Sequence, residues 1–174
     1  VTGVETLRFN DRDITVSLDA NGLVLTGDTD GDDITIVGSV PVTVVGADGD
    51  EDIVGGLGDD IIVGNAGDDT IDGSAGDDTI DGGAGSDTAT FAGDISDYRV
   101  TTSADGTTIT VTDIDTADGD DGTDSLTSVE TLAFADGQRL EVSDDNDGEI
   151  QVNTYVSGTQ YTPSVTGLAG GKYV

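Results

Sequence analysis

A nine-residue repeat restricts the fold of this chain more than any other feature of its sequence. From Gly55 to Thr90 the chain reads as four consecutive copies, GGLGDDIIV, GNAGDDTID, GSAGDDTID and GGAGSDTAT. Glycine occupies positions one and four of each copy, aspartate position six, and an aliphatic residue position eight. A more divergent copy, GADGDEDIV, begins at Gly46 and has Glu51 at position six. A repeat this short cannot bury a core alone, so the copies must stack as a solenoid.

Each copy divides into a turn and a short strand. Positions one to six are rich in glycine and aspartate, as turns are, and positions seven to nine alternate with the middle side chain inward. Two copies then form one coil, with Ile62 and Ile80 in one wall and Ile71 and Ala89 in the other. The fold class predicted is all-β, a parallel β-roll solenoid. Gly/Asp-rich sequence is also typical of disordered linkers, but such linkers have no reason to keep an aliphatic residue at every ninth position.

The predicted coil stacks residues that lie eighteen apart in the sequence. Asp60 then lies above Asp78, and Asp69 above Asp87, with strands about 4.8 Å apart. Carboxylates at that spacing repel one another unless a cation lies between them. The chain has no cysteine and no histidine, so the available ligands are all oxygen atoms. This favours calcium over magnesium, and it disfavours zinc and copper.

The copies match the pattern GGxGxDxUx, and the segment resembles the RTX (haemolysin-type) calcium-binding nonapeptide repeat family. The resemblance implies a parallel β-roll in which calcium lies between turns on the same side. It implies that each ion takes three ligands from one turn, the carbonyls of positions two and four and the aspartate. The other three come from the turn eighteen residues later, the carbonyls of positions one and three and the aspartate. At least two ions are expected, and Glu51 departs from the motif in the third site. The implied ligand sets are Gly56, Gly58 and Asp60 with Gly73, Ala75 and Asp78; Asn65, Gly67 and Asp69 with Gly82, Ala84 and Asp87; and Ala47, Gly49 and Glu51 with Gly64, Ala66 and Asp69.

The charge of the chain limits its partners. It has 37 acidic and 5 basic residues, a formal net charge of −32. This charge excludes nucleic acid as a partner, disfavours anionic membranes, and makes divalent cations the expected ligands. No apolar stretch is long enough to span a bilayer, so no membrane insertion is expected. Without cysteine there are no disulfides, and calcium is expected to stabilise the chain outside the cell in their place.

The residues before the repeats predict short strands. Residues 1–45 alternate apolar and polar positions between glycines, and from Thr35 onward they already show the strand-then-glycine pattern of the repeats. We interpret this part as N-terminal strands and degenerate coils of the roll, which lead into the calcium roll at 46–90. Four aspartates could form another calcium turn or a solvated acidic turn; they are Asp28, Asp30, Asp32 and Asp33.

The residues after Thr90 depart from the repeat. Phe91 is expected to close the end of the roll, and Asp105-Gly106 predicts a hairpin between strands at 98–102 and 107–113. Residues 91–143 resemble the β cap that follows RTX blocks, which in that family helps to order the roll. The acidic loop 113–124 does not fit an EF-hand, because its acids and glycine are misplaced. It is either a looser calcium site or a mobile loop.

The chain also contains an internal duplication. VTGVETLRFND from residue 1 matches LTSVETLAFADG from residue 126, which we interpret as the closing stretches of two caps in a longer tandem array; the alternative is two similar β edges that arose by convergence. Residues 144–174 are interpreted as the start of a further β repeat or as an extended tail. Neighbouring modules or subunits of the same protein are therefore candidate partners.

The function predicted is a calcium-binding structural module that folds on calcium outside the cell. It would be part of a large secreted or cell-surface protein such as an adhesin, an S-layer protein or a filament, and the RTX resemblance implies export by type I secretion. The alternative is the C-terminal secretion and folding module of a secreted enzyme such as a protease or lipase. The chain itself is not expected to be an enzyme, because it lacks histidine, cysteine, a G-x-S-x-G motif and a phosphate loop. A carboxylate pair of the glycosidase type remains compatible with its composition.

Overall fold

The computed structural model describes residues 4–9, 15–18, 23–27, 31, 33–117, 119–144 and 150–155, with side chains for 23–27, 31, 33–117 and 119–142. Its regular elements are strands and one 3-10 helix, Ile95–Asp97. The strands are β1 (Val4–Phe9), β2 (Thr15–Leu18), β3 (Leu23–Thr26), β4 (Asp33–Gly38), β5 (Val42–Val45), β6 (Asp52–Gly56), β7 (Ile61–Ala66), β8 (Thr70–Ser74), β9 (Thr79–Ala84), β10 (Thr88–Thr90), β11 (Tyr98–Thr102), β12 (Ile109–Asp113), β13 (Thr123–Thr127), β14 (Thr131–Ala133), β15 (Arg139–Asp144) and β16 (Ile150–Tyr155).

The strands form two sheets that face each other as the walls of a parallel β-roll. Sheet I has the order β1-β4-β6-β8-β10-β14-β15-β16, and sheet II has the order β11-β12-β13-β9-β7-β5-β3-β2. The chain alternates between the sheets from β3 to β10, and neighbouring strands in this part of each sheet are parallel. The all-β parallel roll predicted from the nine-residue period is confirmed.

The position-eight side chains form the core between the two sheets. Ile62 pairs with Ile80 in sheet II, and Ile71 pairs with Ala89 in sheet I. All four are buried, with at most 1 % of their surface exposed. Each strand therefore contributes its middle side chain to one continuous apolar cluster, as the alternation in the sequence predicts.

The roll begins before the regular copies, as the degenerate pattern predicts. β3 pairs in parallel with β5, and β4 with β6. Leu25, Ile34 and Val44 are fully buried in the same cluster as the repeat isoleucines. Three of the aspartates considered as a further calcium turn, at positions 28, 30 and 32, lie outside the described residues, while Asp33 is an exposed residue at the start of β4.

An aromatic cluster covers the core beyond the last regular copy. Phe91, Tyr98 and Phe134 are buried, and their ring centroids lie 5.3 to 5.4 Å apart. The predicted hairpin is present as the antiparallel pair β11 and β12, with Gly106 at a φ of 70° in the connection. β12 begins at Ile109 and not at residue 107, because Asp105 Oδ1 accepts hydrogen bonds from the N–H and the hydroxyl of Thr107.

The two duplicated sequence segments lie in the same sheet but pair differently. β14, within the second copy, runs parallel to β10, whereas β1, within the first, runs antiparallel to β4. β15 and β16 extend sheet I beyond β14 as an antiparallel pair. Most of the segment 144–174, at 145–149 and 156–174, lies outside the described residues.

Candidate metal centre

The position-six carboxylates stack in two columns, one on each side of the roll. In the first column Asp69 Oδ1 accepts the N–H of Glu51 at 2.8 Å, and Asp87 Oδ1 accepts the N–H of Asp69 at 2.9 Å. In the second column Asp78 Oδ1 accepts the N–H of Asp60 at 2.7 Å. The structure thus stacks the aspartates that the eighteen-residue spacing predicts, and each carboxylate faces the turn of the preceding coil.

A parallel ladder at position five keeps the turns in register. The N–H of Asp68 donates to Asp50 Oδ1 at 2.9 Å, and that of Ser86 donates to Asp68 Oδ1 at 2.9 Å. On the other side of the roll, the N–H of Asp77 donates to Asp59 Oδ1 at 3.1 Å. These exposed aspartates accept from the turn that follows, whereas the position-six aspartates accept from the turn that precedes. Adjacent acidic residues are therefore used in opposite directions along the roll.

Glycine at position one is required because two oxygen atoms occupy the space where a side chain would lie. A Cβ on Gly64 would lie 2.1 Å from Asp69 Oδ2 and 2.5 Å from the carbonyl oxygen of Gly82. Gly55 meets the same pair of groups, with the carbonyl oxygen of Gly73 at 2.3 Å and Asp60 Oδ2 at 3.0 Å. The contacts with the two carbonyl oxygens and with Asp69 Oδ2 are shorter than real Cβ contacts, so any larger residue at position one would displace the carboxylate or the next turn.

The carbonyl groups expected as ligands face the space between consecutive turns of a stack. From the lower turn, Gly56 O accepts the N–H of Ala75 at 3.2 Å, and Ala47 O accepts the N–H of Ala66 at 3.1 Å. From the upper turn, Ala84 O accepts the N–H of Gly67 at 3.0 Å. A carbonyl oxygen has a second lone pair beyond the one used in each of these bonds.

Seven more of the expected carbonyls lie where the Cβ of a glycine on the facing turn would be obstructed. Each lies within 2.6 Å of the Cβ that a glycine of the facing turn would carry. Those on lower turns are Gly49 O, Gly58 O, Asn65 O and Gly67 O, and those on upper turns are Gly64 O, Gly73 O and Gly82 O. These seven carbonyls, with those of Ala47, Gly56 and Ala84, thus face the gaps between the turns.

The position-six carboxyl groups are almost completely buried. Asp60, Asp69, Asp78 and Asp87 expose no more than 1 % of their surface. Burial raises the pKa of all four above the usual aspartate value, to about 7 for Asp78 and about 6 for Asp87, and the backbone N–H bonds offset only part of this. Within the part of the chain that the structure describes, no hydrogen-bond donor reaches Oδ2 of Asp69, Asp78 or Asp87.

This arrangement fits a hard cation held by both side-chain and backbone oxygens. Among the described residues no group of three or more acidic, histidine or cysteine side chains converges on one point. The carboxylates come in stacked pairs, so a cation between two turns would need the backbone carbonyls to complete its shell. Buried carboxylate oxygens without donors, beside carbonyls that face the same gap, are the donor set that calcium prefers.

The carboxylate columns also contain two residues that the sequence analysis did not assign. Asp124 Oδ1 accepts the N–H of Asp78 at 3.0 Å, and Glu130 Oε2 accepts the N–H of Asp87 at 2.8 Å. Asp124 is 3 % exposed, and burial raises its pKa to about 8. The signal was present as Gly122 and Asp124 at the spacing of positions four and six, but 28 intervening residues, 91–118, break the period.

The fold and the stacked turns define a class of protein, a parallel β-roll built from Gly/Asp nonapeptides. A model of the RTX calcium-binding nonapeptide repeat (4 copies) matches residues 45–74 and 54–89. Residues 45–89 therefore match the RTX calcium-binding nonapeptide repeat.

Two solved structures resemble the chain. The extracellular lipase LipA from Serratia marcescens has 24 % sequence identity over 66 % of this chain and 19 % of its own, with a TM-score of 0.50. The AlgE6R3 subunit of the mannuronan C5-epimerase from Azotobacter vinelandii has 23 % identity over 80 % of this chain and 92 % of its own, with a TM-score of 0.33. The chain thus spans about a fifth of the lipase, and that likeness shows a shared fold. No curated protein matches the chain.

No helix in the described ranges has the length and the apolar composition that a bilayer span requires.

Proposed function

We propose that this chain is a structural module that folds when calcium fills the gaps between its turns. The observation that carries the proposal is the pair of buried carboxylate columns, in which Oδ2 of Asp69, Asp78 and Asp87 has no hydrogen-bond donor among the described residues and lies beside backbone carbonyls. The family model supports calcium as the ion, because the matching repeats are calcium-binding.

The proposed ions lie between successive turns on the same side of the roll. Each takes two carbonyls and one carboxylate from the lower turn and the same set from the upper turn. One ion lies between the turns of Asp60 and Asp78, and a second between those of Asp69 and Asp87. A third, between Glu51 and Asp69, binds more weakly because the longer side chain of glutamate changes the geometry.

Calcium binding is coupled to folding through charge. The chain carries a formal charge of −32, and its compact form buries carboxylates that would otherwise be hydrated. Self-repulsion and desolvation oppose folding when calcium is scarce, as inside the cell. At the roughly 10⁻⁴–10⁻³ M calcium typical of extracellular modules, each ion binds the folded state only and stabilises it.

This coupling suits a module of a large secreted or cell-surface protein, such as an adhesin, an S-layer protein or a filament, exported unfolded by a type I system. Within such a protein the rigid roll would act as a spacer, and its partners would be neighbouring modules or subunits. The second candidate is the folding module of a secreted enzyme. It is favoured by the likeness to part of an extracellular lipase, of which this chain covers 19 %.

Circular dichroism of the 174-residue chain during a calcium titration tests the proposal, with magnesium as the control. We expect a cooperative gain of β signal with calcium and none with magnesium. A β spectrum that chelator does not change would show that the sheets form without calcium and would refute the proposal. The two candidate contexts differ in whether a catalytic domain is attached, which the sequence of the flanking coding region decides.

A further inference from the structure

A further nonapeptide lies in the cap, outside the four consecutive copies. Residues 119–127 read GDDGTDSLT, with glycine at positions one and four, Asp124 at position six and Leu126 at position eight. Residues 91–118, which contain the hairpin of β11 and β12, separate it from the fourth copy. The family model ends at residue 89 and does not include it.

The strand of this copy continues the roll. Leu126 pairs in parallel with Ile80, and both side chains are buried in the common core. The N–H of Ser125 donates to Asp78 O at 2.8 Å, just as the N–H of Thr79 donates to Asp60 O at 2.9 Å one coil earlier. The chain therefore leaves the roll after β10, forms the hairpin, and returns to the next coil position in register.

The turn of this copy stacks on the turn at 73–78. The N–H of Thr123 donates to Asp77 Oδ1 at 2.9 Å, which extends the position-five ladder. A Cβ on Gly122 would lie 2.2 Å from Gly76 O. One coil earlier, a Cβ on Gly76 would make the equivalent contact with Gly58 O, at 2.6 Å. Both glycines have a positive φ, 79° at Gly122 and 130° at Gly76. Positions four and five thus match those of the regular turns.

We propose that a further calcium ion binds between the turns at 73–78 and 119–124, with Asp78 and Asp124 as its carboxylate ligands and Gly76 O as a backbone ligand. Asp78 is 1 % exposed, and no donor among the described residues reaches its Oδ2. Asp124 is 3 % exposed and directs Oδ1 to the N–H of Asp78. Two carboxylates and a carbonyl therefore meet in one gap, as in the turns below. The inference rests on the proposed function.

This site differs from the regular ones at its start. A Cβ on Gly55 would meet the carbonyl oxygen of Gly73 at 2.3 Å, whereas the three atoms nearest to a Cβ on Gly73 all belong to Asp78, so the carbonyl of Gly119 does not lie over Gly73 as it would in a regular turn. Water can then reach this end of the gap and supply ligands there, because calcium accepts water among its six to eight oxygen ligands. The ion is expected to bind more weakly than the one between Asp60 and Asp78.

The consequence of this ion is a calcium-dependent attachment of the cap to the roll. Its two carboxylates lie 46 residues apart in the sequence, on opposite sides of the inserted hairpin. β12 of that hairpin pairs with β13, which carries Asp124. Loss of the ion therefore weakens the position of the whole insertion, whereas loss of an ion lower in the roll does not.

The test is the number of calcium ions bound by the full 174-residue chain, measured by isothermal titration calorimetry on the parent, Asp124→Asn and Asp136→Asn. Asp136 is the matched control, because it lies in the cap, is exposed, and also accepts one backbone N–H, from Gln138 at 3.0 Å. We expect Asp124→Asn to bind one ion fewer than the parent, and Asp136→Asn to bind the same number. Asp124→Glu should restore the count at lower affinity.

Each outcome is decisive. An unchanged count in Asp124→Asn refutes this inference while leaving the calcium roll intact, whereas a parent that binds no calcium refutes the proposed function as well. If Asp124→Asn does not fold, a crystal structure of the calcium-loaded parent decides instead. A cation within about 2.6 Å of both Asp78 and Asp124 supports the inference. A cation between Asp60 and Asp78 with none at Asp124 overturns it.

Discussion

The substitution Asp69→Asn tests whether one carboxylate serves two ions. Asp69 lies between Glu51 and Asp87 in its column, so it borders two proposed sites. Asp60 borders one, because the residue below it is Val42, which has no ligand side chain. The two aspartates are otherwise closely matched. Each is 1 % exposed, and each accepts a backbone N–H through Oδ1 at 2.8 Å.

The expected difference follows from the number of ions lost. An ion at a hundred times its dissociation constant stabilises the folded state by about 2.7 kcal/mol. Asp60→Asn should therefore remove about 2.7 kcal/mol of calcium-dependent stability, and Asp69→Asn more than that but less than about twice as much, because the second ion that it borders, beside Glu51, binds more weakly. Asparagine keeps the Oδ1 acceptor, so the loss reports on the ligand charge and not on the ladder hydrogen bond.

Urea unfolding of both variants and the parent, in saturating calcium and in chelator, measures these quantities. The difference between the two conditions corrects for effects that do not involve calcium. One such effect is specific to Asp60, whose Oδ2 accepts the N–H of Gly56 at 2.8 Å and would become an amide donor in the variant. Equal calcium-dependent losses in the two variants would refute the shared-ligand geometry.

Three further predictions concern the core, the turns and pH. Ile71→Ala should cost about 2–5 kcal/mol in urea unfolding with calcium, because Ile71 is fully buried, and a loss below 1 kcal/mol would contradict a packed core. Gly67→Ala should destabilise far more than Gly137→Ala: both have positive φ, but only at Gly67 would a Cβ meet a carbonyl, Gly49 O at 1.9 Å. In chelator, the free energy of unfolding should be greatest below about pH 4 and should fall as the pH rises through about 8. Burial raises the pKa of Asp78 to about 7 and that of Asp124 to about 8, so between these limits the folded state binds protons that the unfolded state has lost. A urea midpoint that rises with pH would refute this.

The roll could be predicted from the sequence because its rule is local and repeated. A glycine, an aspartate and an aliphatic residue at fixed positions in nine define a turn, a stacked carboxylate and an inward side chain. The spacing of eighteen then sets the register, and the pairs Ile62 with Ile80 and Asp60 with Asp78 follow. Nothing in that inference required contacts between distant parts of the chain.

The upper end of the carboxylate columns could not be predicted in the same way. Asp124 lies 46 residues after Asp78, the residue below it in the column, and Glu130 lies 43 residues after Asp87. Both separations exceed eighteen because the hairpin is inserted between coils. The turn before Glu130 is also shortened to Ser128 and Val129, and Ser128 adopts a φ of 52°. Only the pairing of β13 with β9 and of β14 with β10 shows that these residues continue the repeat.

The duplicated segments show a second limit of sequence reasoning. The residues VETL occur in both, yet the segment at β14 pairs in parallel and the segment at β1 pairs antiparallel. Strand direction is set by the coil that the chain has just completed. β14 follows a roll strand through a short turn, which leaves it parallel to β10. A segment's own residues fix which face is apolar, but not which neighbour it meets.

The distribution of buried groups supports the proposal that folding of this roll depends on calcium. Each regular copy buries one aliphatic side chain, and it also buries one aspartate to the same extent. In most domains the core is almost free of ionisable groups, because desolvating a carboxylate opposes folding unless the charge is neutralised. Here each copy buries one aspartate for every aliphatic side chain. The cost of desolvating that carboxylate therefore opposes the stabilisation from the apolar core and the backbone hydrogen bonds in every copy. In the proposed function, a cation between each pair of turns would reverse the sign of the carboxylate contribution, and the residues that oppose folding without calcium would become the ligands that drive it.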